Sequence, residues 1–183
     1  MKKIYFTRHG QTIWNVENKI CGATDIELTP KGHQQAIETG QRLAAQIQSG
    51  QIHIDKILYS PLVRAAETAR HISEQTGIPA FVEPRLKEQN FGRYESTPRH
   101  SNEFEYAKTQ FINHFDGGES MLQLAQRIYN LLDEIKNDPS DEVVMLVAHN
   151  GIARVVLSYF QDMTNEEFGK FGIDNCAVLE FTF

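Results

Sequence analysis

Lys3-Ile4-Tyr5-Phe6-Thr7-Arg8-His9-Gly10 and, far downstream, Val143-Val144-Met145-Leu146-Val147-Ala148-His149-Asn150-Gly151 decide how this chain is read. Each is a short apolar run of strand length that ends in a histidine followed by Gly or Asn-Gly. Strands of a parallel sheet, buried on both faces, have this continuous apolar character. Two such strands ending alike deliver two imidazoles to one edge of a sheet, and open α/β sheets bind ligands outside that edge. Arg8 adds a permanent cation with a planar fork of donors suited to phosphate oxygens. In a regular strand Arg8 and His9 point to opposite faces, so Gly10 is expected to turn the chain and let both meet one ligand. Phosphate chemistry is the first expectation.

Between these runs, strand-like segments alternate with helical patterns, which predicts an α/β fold: a three-layer α/β/α sandwich around a mostly parallel sheet. Strands are expected at 3–7, 54–59, 80–83, the run ending at His149, and 177–183, the last alternating like an antiparallel edge strand. Thr29-Pro30 supplies an N-cap and a first-turn proline for a helix ending near Ser49-Gly50. Ser60-Pro61 reads the same way for the helix carrying Arg64, Ala65, Ala69 and Ile72, whose first free N–H groups would favour an anion. From Glu119 onward, Met121, Leu124, Ala125, Ile128, Leu131, Leu132 and Ile135 make one continuous apolar face. Ile152, Val155, Val156 and Tyr159 predict another helix. Over 85–118 the periodicity weakens among prolines, glycines and interleaved aromatics, which reads as a partly helical excursion covering the substrate edge of a single domain, 1–183. The aromatics are expected to form a local core there, with one or two shaping the leaving-group site as the alternative, and Arg93, Arg99 and Lys108 a solvated face, with contact to a second anionic group of the substrate as the alternative.

Among 183 residues, 18 Lys and Arg against 24 Asp and Glu leave a net charge of −6, with the cations scattered. That pattern disfavours nucleic acid and anionic membranes as partners. After Met1-Lys2-Lys3 the apolar stretch lasts three residues. No run approaches the roughly 20 apolar residues of a membrane helix, so a cytoplasmic protein is expected. Cys21 and Cys176 are the only cysteines and form no CxxC pattern, and reduced thiols are expected. His33, His53, His71, His100 and His114 show no metal-ligand spacing, so neither a metal nor a cofactor is expected. Nothing in the sequence sets an oligomeric state.

Further motifs complete the pattern: Thr12 and Asn15 after Arg8-His9-Gly10; Cys21-Gly22; Leu28-Thr29-Pro30-Lys31-Gly32 with Gln35-Ala36; Ser60-Pro61 with Arg64 and Thr68; Glu88 with Phe91-Gly92; Gly117-Gly118-Glu119-Ser120; and His149. In this order they resemble the histidine phosphatase, or phosphoglycerate mutase-like, superfamily over essentially the whole chain. The resemblance implies that His9 is a nucleophile that becomes phosphorylated, that Arg8, Arg64 and His149 line the phosphate pocket, and that Glu88 is the proton donor. Thr12, Asn15 and Asn150 are further candidate phosphate ligands, and Glu83 and Glu95 are alternative acids. A covalent intermediate splits one hard displacement into two easier ones. Two arginines and a protonated second imidazole could hold the transferring oxygens.

The chain departs from the family pattern at Gln11, at Asn150, where glycine is usual, and at Glu95-Ser96-Thr97 in place of Glu-Gly. The expected function is hydrolysis of a small phosphorylated metabolite. A bisphosphoglycerate-dependent phosphoglycerate mutase and a non-catalytic phospholigand-binding module are the alternatives. The short segment between Glu88 and Gly117, where mutases carry a longer insertion, favours the phosphatase.

Overall fold

In the computed structural model, which describes residues 2–140 and 142–183, five strands form one sheet: β1 (Lys3–Arg8), β2 (Lys56–Tyr59), β3 (Ala80–Val82), β4 (Val144–Ala148) and β5 (Val178–Thr182). Their order is β3-β2-β4-β1-β5. β1 and β2 both run parallel to β4, and β3 runs parallel to β2, whereas β5 is antiparallel to β1. The helices are α1 (Ile13–Val16), α2 (Pro30–Gln48), α3 (Val63–Thr76), α4 (Asn102–Thr109), α5 (Met121–Asn137), α6 (Asn150–Phe160) and α7 (Asn165–Lys170). The three-layer α/β/α sandwich with a mostly parallel sheet and an antiparallel edge is therefore observed.

β4 is buried along its whole length, and its alternation divides the interior in two. Val144, Leu146 and Ala148 join Ile4 and Phe6 against Leu124, Ile128, Leu131 and Leu132 of α5 and Ile152 and Val156 of α6. Met145 and Val147 join Tyr5 and Ile57 against Leu43 of α2 and Ala65, Ala69 and Ile72 of α3. Successive strand residues point to opposite faces, so one strand feeds both cores. Each large side chain buried here contributes roughly 1.5–3 kcal/mol.

Thr29 caps α2, accepting from Gly32 N at 3.0 Å, with Pro30 in the first turn. Ser60-Pro61 does not open α3. That helix starts at Val63 with Leu62 as a cap that makes no side-chain bond. Its first amide, Val63 N, donates to Asp25 Oδ1 at 2.7 Å, so the anion expected at this helix start is the chain's own carboxylate. Gly10 also acts differently from expectation, since its φ is not left-handed. A Cβ there would lie 2.3 Å from Gly32 O, so glycine is needed for close approach of two backbones.

The excursion holds a core of its own, in which Ile20, Phe91, Tyr94, Phe104, Ala107 and Phe115 pack together around the 3-10 turn Gly92–Tyr94 and α4. α7 was not foreseen, because it is short and buries one side chain, Phe168. Among the described residues no helix is long and apolar enough to cross a membrane.

Ser96, at the position where the family pattern has glycine, adopts φ +67°. A side chain in the left-handed region costs roughly 1–2 kcal/mol, partly offset in glycine by its greater unfolded-state entropy. Ser96→Gly is expected to stabilise the protein by about 1 kcal/mol, read as a higher urea midpoint at unchanged m-value.

Candidate active site

The parallel pairing of β1 with β4 sets Arg8 beside Ala148, and His9 N donates to Ala148 O at 3.0 Å. The next side chains, His9 and His149, therefore meet at the carboxyl ends of adjacent strands, with ring centroids 5.2 Å apart and planes 58° apart. His9 Nδ1 lies 2.7 Å from Gly10 O. A carbonyl only accepts, so Nδ1 carries the proton of the neutral ring and Nε2 keeps its lone pair. Asn175 Nδ2 donates to His9 O at 2.8 Å. Gly10 N donates to Thr68 Oγ1, which in turn donates to Arg64 O on α3. The nucleophile candidate is held by its backbone on both sides.

His149 is fully buried, and its Nε2 lies 2.7 Å from Ser60 Oγ. Arg64, also fully buried, donates through Nη1 to Thr24 O and through Nη2 to Gly22 O. Arg8 Nη1 donates to Ile173 O at 2.7 Å. Among the described residues, the buried side-chain nitrogen and oxygen atoms without a hydrogen-bond partner are Arg8 Nε, Arg64 Nε and His149 Nδ1. All three belong to residues that the sequence pattern selects. Buried polar atoms are almost always paired, so this concentration of spare nitrogens in one place suits an oxyanion.

Burial, then the charges of Arg64 and Arg8, hold His9 well below the ordinary histidine range. Burial, then Arg64, His9 and Arg8, do the same to His149. Burial and these cations thus favour the neutral second imidazole in the free protein, and the expected protonated form requires an anion beside it. Arg8 is lowered to about 10, chiefly by burial and then by Arg99, and remains a cation at neutral pH.

Glu88 is buried with its carboxylate on the first turn of α6, where Oε2 accepts from Gly151 N and Oε1 from Gln89 N, both at 2.9 Å. Burial raises its pKa against the lowering effect of those amides. A Cβ on Gly151 would fall 2.4 Å from Glu88 Oε1, so glycine makes room for the carboxylate. The other two acids are engaged elsewhere. Glu83 is paired with Arg85, which holds its carboxyl below the usual range. Glu95 accepts from the amides of Gly22, Ala23 and Phe91 and from Thr24 Oγ1, clasping two loops.

Arg8, His9, Asn15, Glu88 and Asn150 line a cavity of about 520 Å³. Arg64 and His149 do not line it and form a buried layer around His9 instead. Thr12 is likewise fully buried, as the cap of α1 in a reciprocal box with Asn15, and takes no part in the wall. Asn15 Oδ1 accepts from Thr12 N and Asn175 Nδ2, leaving the amide nitrogen for a ligand. Asn150 Oδ1 accepts from Ile173 N and ties the loop before β5 to α6.

A sequence profile of the histidine phosphatase superfamily (branch 1) matches residues 4–183. The chain belongs to this superfamily. It is an enzyme of the histidine phosphatase type. A relative in Yersinia enterocolitica named "Probable phosphoglycerate mutase GpmB" is 31% identical over 97% of this chain and 83% of its own length. One of the same name in Erwinia tasmaniensis is 30% identical with the same coverage. The structure of mycobacterial glucosyl-3-phosphoglycerate phosphatase complexed with VO3 matches with a TM-score of 0.83, over 100% of this chain and 91% of that one, at 24% identity, a likeness of fold.

Several residues of this histidine phosphatase's site escaped the sequence reading. Arg154 lies one helical turn beyond Asn150 and lines the same cavity, so the i, i+4 spacing could have shown it. Asn175 carries no such signal. Arg99 and Lys108 also line the cavity rather than a solvated face, whereas Arg93 is exposed and paired with Glu103 and Asp116. Cys21 and Cys176 are both free thiols, and burial pushes Cys21, which lines the cavity, up to about 11. Facing helices bring the ligand atoms of His33, Glu67 and His71 within 4.8 Å of one another, although their sequence spacing predicts no metal site. Those atoms already have partners. Arg70 Nη2 lies 2.8 Å from Glu67 Oε2 and 3.3 Å from His71 Nε2, and His33 Nδ1 lies 2.9 Å from His71 Nε2.

A lowered histidine pKa keeps the ring neutral to lower pH than the unperturbed value of about 6.5. In 15N imidazole NMR spectra of the free protein, His9 and His149 are therefore expected to be still neutral at pH 6. Saturation with inorganic phosphate should move the titration of His149 upward.

Proposed function

We propose that this histidine phosphatase hydrolyses phosphomonoesters of small metabolites through a phosphohistidine on His9. The carrying observation is the set of three buried, unpartnered nitrogens on Arg8, Arg64 and His149 around an imidazole whose Nε2 is unprotonated. In the first half-reaction, the Nε2 lone pair attacks phosphorus, an N–P bond forms and the ester P–O bond breaks. The departing alkoxide takes the proton of Glu88, whose burial favours the protonated form. In the second, the Glu88 carboxylate accepts a proton from water, the water oxygen attacks phosphorus and the N–P bond breaks. Inorganic phosphate leaves, and His9 returns to its starting form.

The two guanidinium groups meet charge on the transferring oxygens, and fixed donors of this kind are each worth a factor of about 100 to 1,000 in kcat. Ser60 Oγ already accepts from Leu62 N at 3.3 Å, so its hydroxyl proton is available to His149 Nε2. With that proton donated to Nε2, the neutral ring carries its own proton on Nδ1, the atom that lacks a partner. Asn15 and Asn150 contribute donors at the rim. Residues 85–118 cover the cavity through Phe91, Arg99, Phe104 and Lys108 and select the leaving group.

A second reading, phosphoglycerate mutase activity, is favoured by the names of the relatives at 30–31% identity. Incubation with 2,3-bisphosphoglycerate and 3-phosphoglycerate separates the two. Phosphate release exceeding isomerisation supports hydrolysis, and the reverse overturns it.

Rapid acid-free quenching with 32P-labelled ester is expected to trap an acid-labile, base-stable phosphoenzyme that His9→Ala does not form. Undiminished turnover in that variant would remove the mechanism. After correction for ionisation of the ester, kcat/KM requires neutral His9 and protonated Glu88. The acid limb should therefore lie below pH 6.5, because the His9 pKa is lowered, and activity should fall again as rising pH ionises Glu88, whose pKa is raised. Glu88→Gln should lose the basic limb, with alkyl esters losing far more rate than p-nitrophenyl phosphate, whose leaving group needs no proton.

A further inference from the structure

The cavity wall holds more positive charge than one phosphoryl group uses. Besides Arg8, it contains Arg99, Lys108 and Arg154, in a chain whose net charge is −6. None of these has a carboxylate at salt-bridge distance among the described residues, although Arg70, Arg85, Arg93 and Arg127 all do. Their hydrogen bonds go to neutral backbone acceptors: Arg99 Nη2 to Lys19 O at 3.3 Å and Arg154 Nε to Phe171 O at 2.7 Å. The Lys108 ammonium stands 5.2 Å from the centre of the Phe104 ring. The acids of the same wall act on these cations only from beyond salt-bridge distance. Glu88 is buried where its protonated form is favoured, Glu166 is paired with Lys170, and Glu105 is exposed and lies 3.7 Å from His100.

We infer that the substrate carries a second anionic group, a carboxylate or another phosphate, on its alcohol portion, bound by Arg99, Lys108 and Arg154 while its ester phosphate lies at His9. The inference rests on the proposed reaction and narrows its substrate class. The cations sit near enough to one another to be uncomfortable unpaired. Beyond the effect of burial, Arg154 depresses the ammonium of Lys108, Glu105 acts against it and Arg99 adds to the depression, while Arg154 itself is raised by Glu88 and depressed by Arg99. An anion placed among them relieves that repulsion, and charge-assisted bonds to Arg and Lys are among the stronger polar contacts in proteins. A cavity of about 520 Å³ has room for a small molecule bearing two anionic groups. The three cations come from two regions, the excursion and α6, so only a ligand bridging both meets them all.

Matched ester pairs test this. Phosphate release from 3-phosphoglycerate is compared with that from glycerol 3-phosphate, which lacks the carboxylate, and release from fructose 1,6-bisphosphate with that from fructose 1-phosphate, which lacks the second phosphate. A kcat/KM ratio of about 100 or more in one pair is expected, and the pair that shows it identifies the anion. Lys108→Met and Arg99→Gln, made separately, should each lower that ratio about tenfold. Arg93→Gln, a cation of the same excursion outside the cavity, should leave it unchanged. Ratios near one in both pairs, or a ratio that neither cavity variant moves, would overturn the inference. If p-nitrophenyl phosphate is turned over through phosphohistidine while the pairs show no preference, only this inference fails. If no ester is turned over and no phosphoenzyme forms, the proposed reaction fails with it.

Discussion

The backbone bond from His9 N to Ala148 O, the last rung of the β1–β4 ladder, is the contact on which the rest of the site depends. It fixes the register in which two parallel strands end level, and so places one imidazole directly after each. A one-residue slip in that register would turn every side chain of β1 to the other face. The apolar pattern forbids the slip, because Ile4 and Phe6 belong to one core and Tyr5 to the other. The same alternation that builds two cores thereby sets the distance between two catalytic candidates.

Holding buried cations beside these rings has a cost. Arg64 has no exposed surface and, among the described residues, no carboxylate partner, and its Nη atoms donate to the carbonyls of Gly22 and Thr24. Neutral acceptors orient the guanidinium without cancelling its charge, whereas a carboxylate would cancel it and compete with an incoming anion. The 22–24 loop must then be held in turn, and Glu95 does this by accepting from four of its donors. The acid that the sequence left open as a proton donor is instead the anchor of the loop that aims Arg64. Charge in this site is kept at a distance from its neutraliser, which is how electrostatic stabilisation is prepared in advance of the reacting group.

What the sequence made legible is what local pattern controls. Strand-length apolar runs, the Thr29-Pro30 cap and the α5 stripe all act over neighbouring residues, and each element appears where the pattern puts it. Ser60-Pro61 misled for a related reason. A serine followed by proline looks like a helix opening, yet the hydroxyl here meets His149, 89 residues away, and no local rule reports such a partner. The lowered pKa of His149 is hidden from the sequence in the same way, since it depends on burial and on Arg64, His9 and Arg8, which come together only in the fold. Arg99 and Lys108 resemble surface cations because their neighbours in sequence are polar, and only the closure of the excursion over the sheet edge brings them to the cavity.

That closure separates stability from selectivity. Four aromatics of the excursion, Phe91, Tyr94, Phe104 and Phe115, pack into a cluster distinct from the two cores flanking the sheet, whereas Phe111 packs against the core of α5 and α6. Cavity-lining side chains such as Arg99 and Lys108 lie outside the core that holds β1 and β4. Gly92, at φ +49°, shows how tightly the base of the excursion is nonetheless fixed, since a Cβ there would meet Phe115 O at 2.0 Å. A rigid base with a replaceable inner lining suits an enzyme whose phosphoryl chemistry is common to many esters and whose choice among them rests on the other end of the molecule. In the proposed reaction Arg8, Arg64 and the two histidines recognise what all those esters share, so discrimination falls to residues such as Arg99 and Lys108.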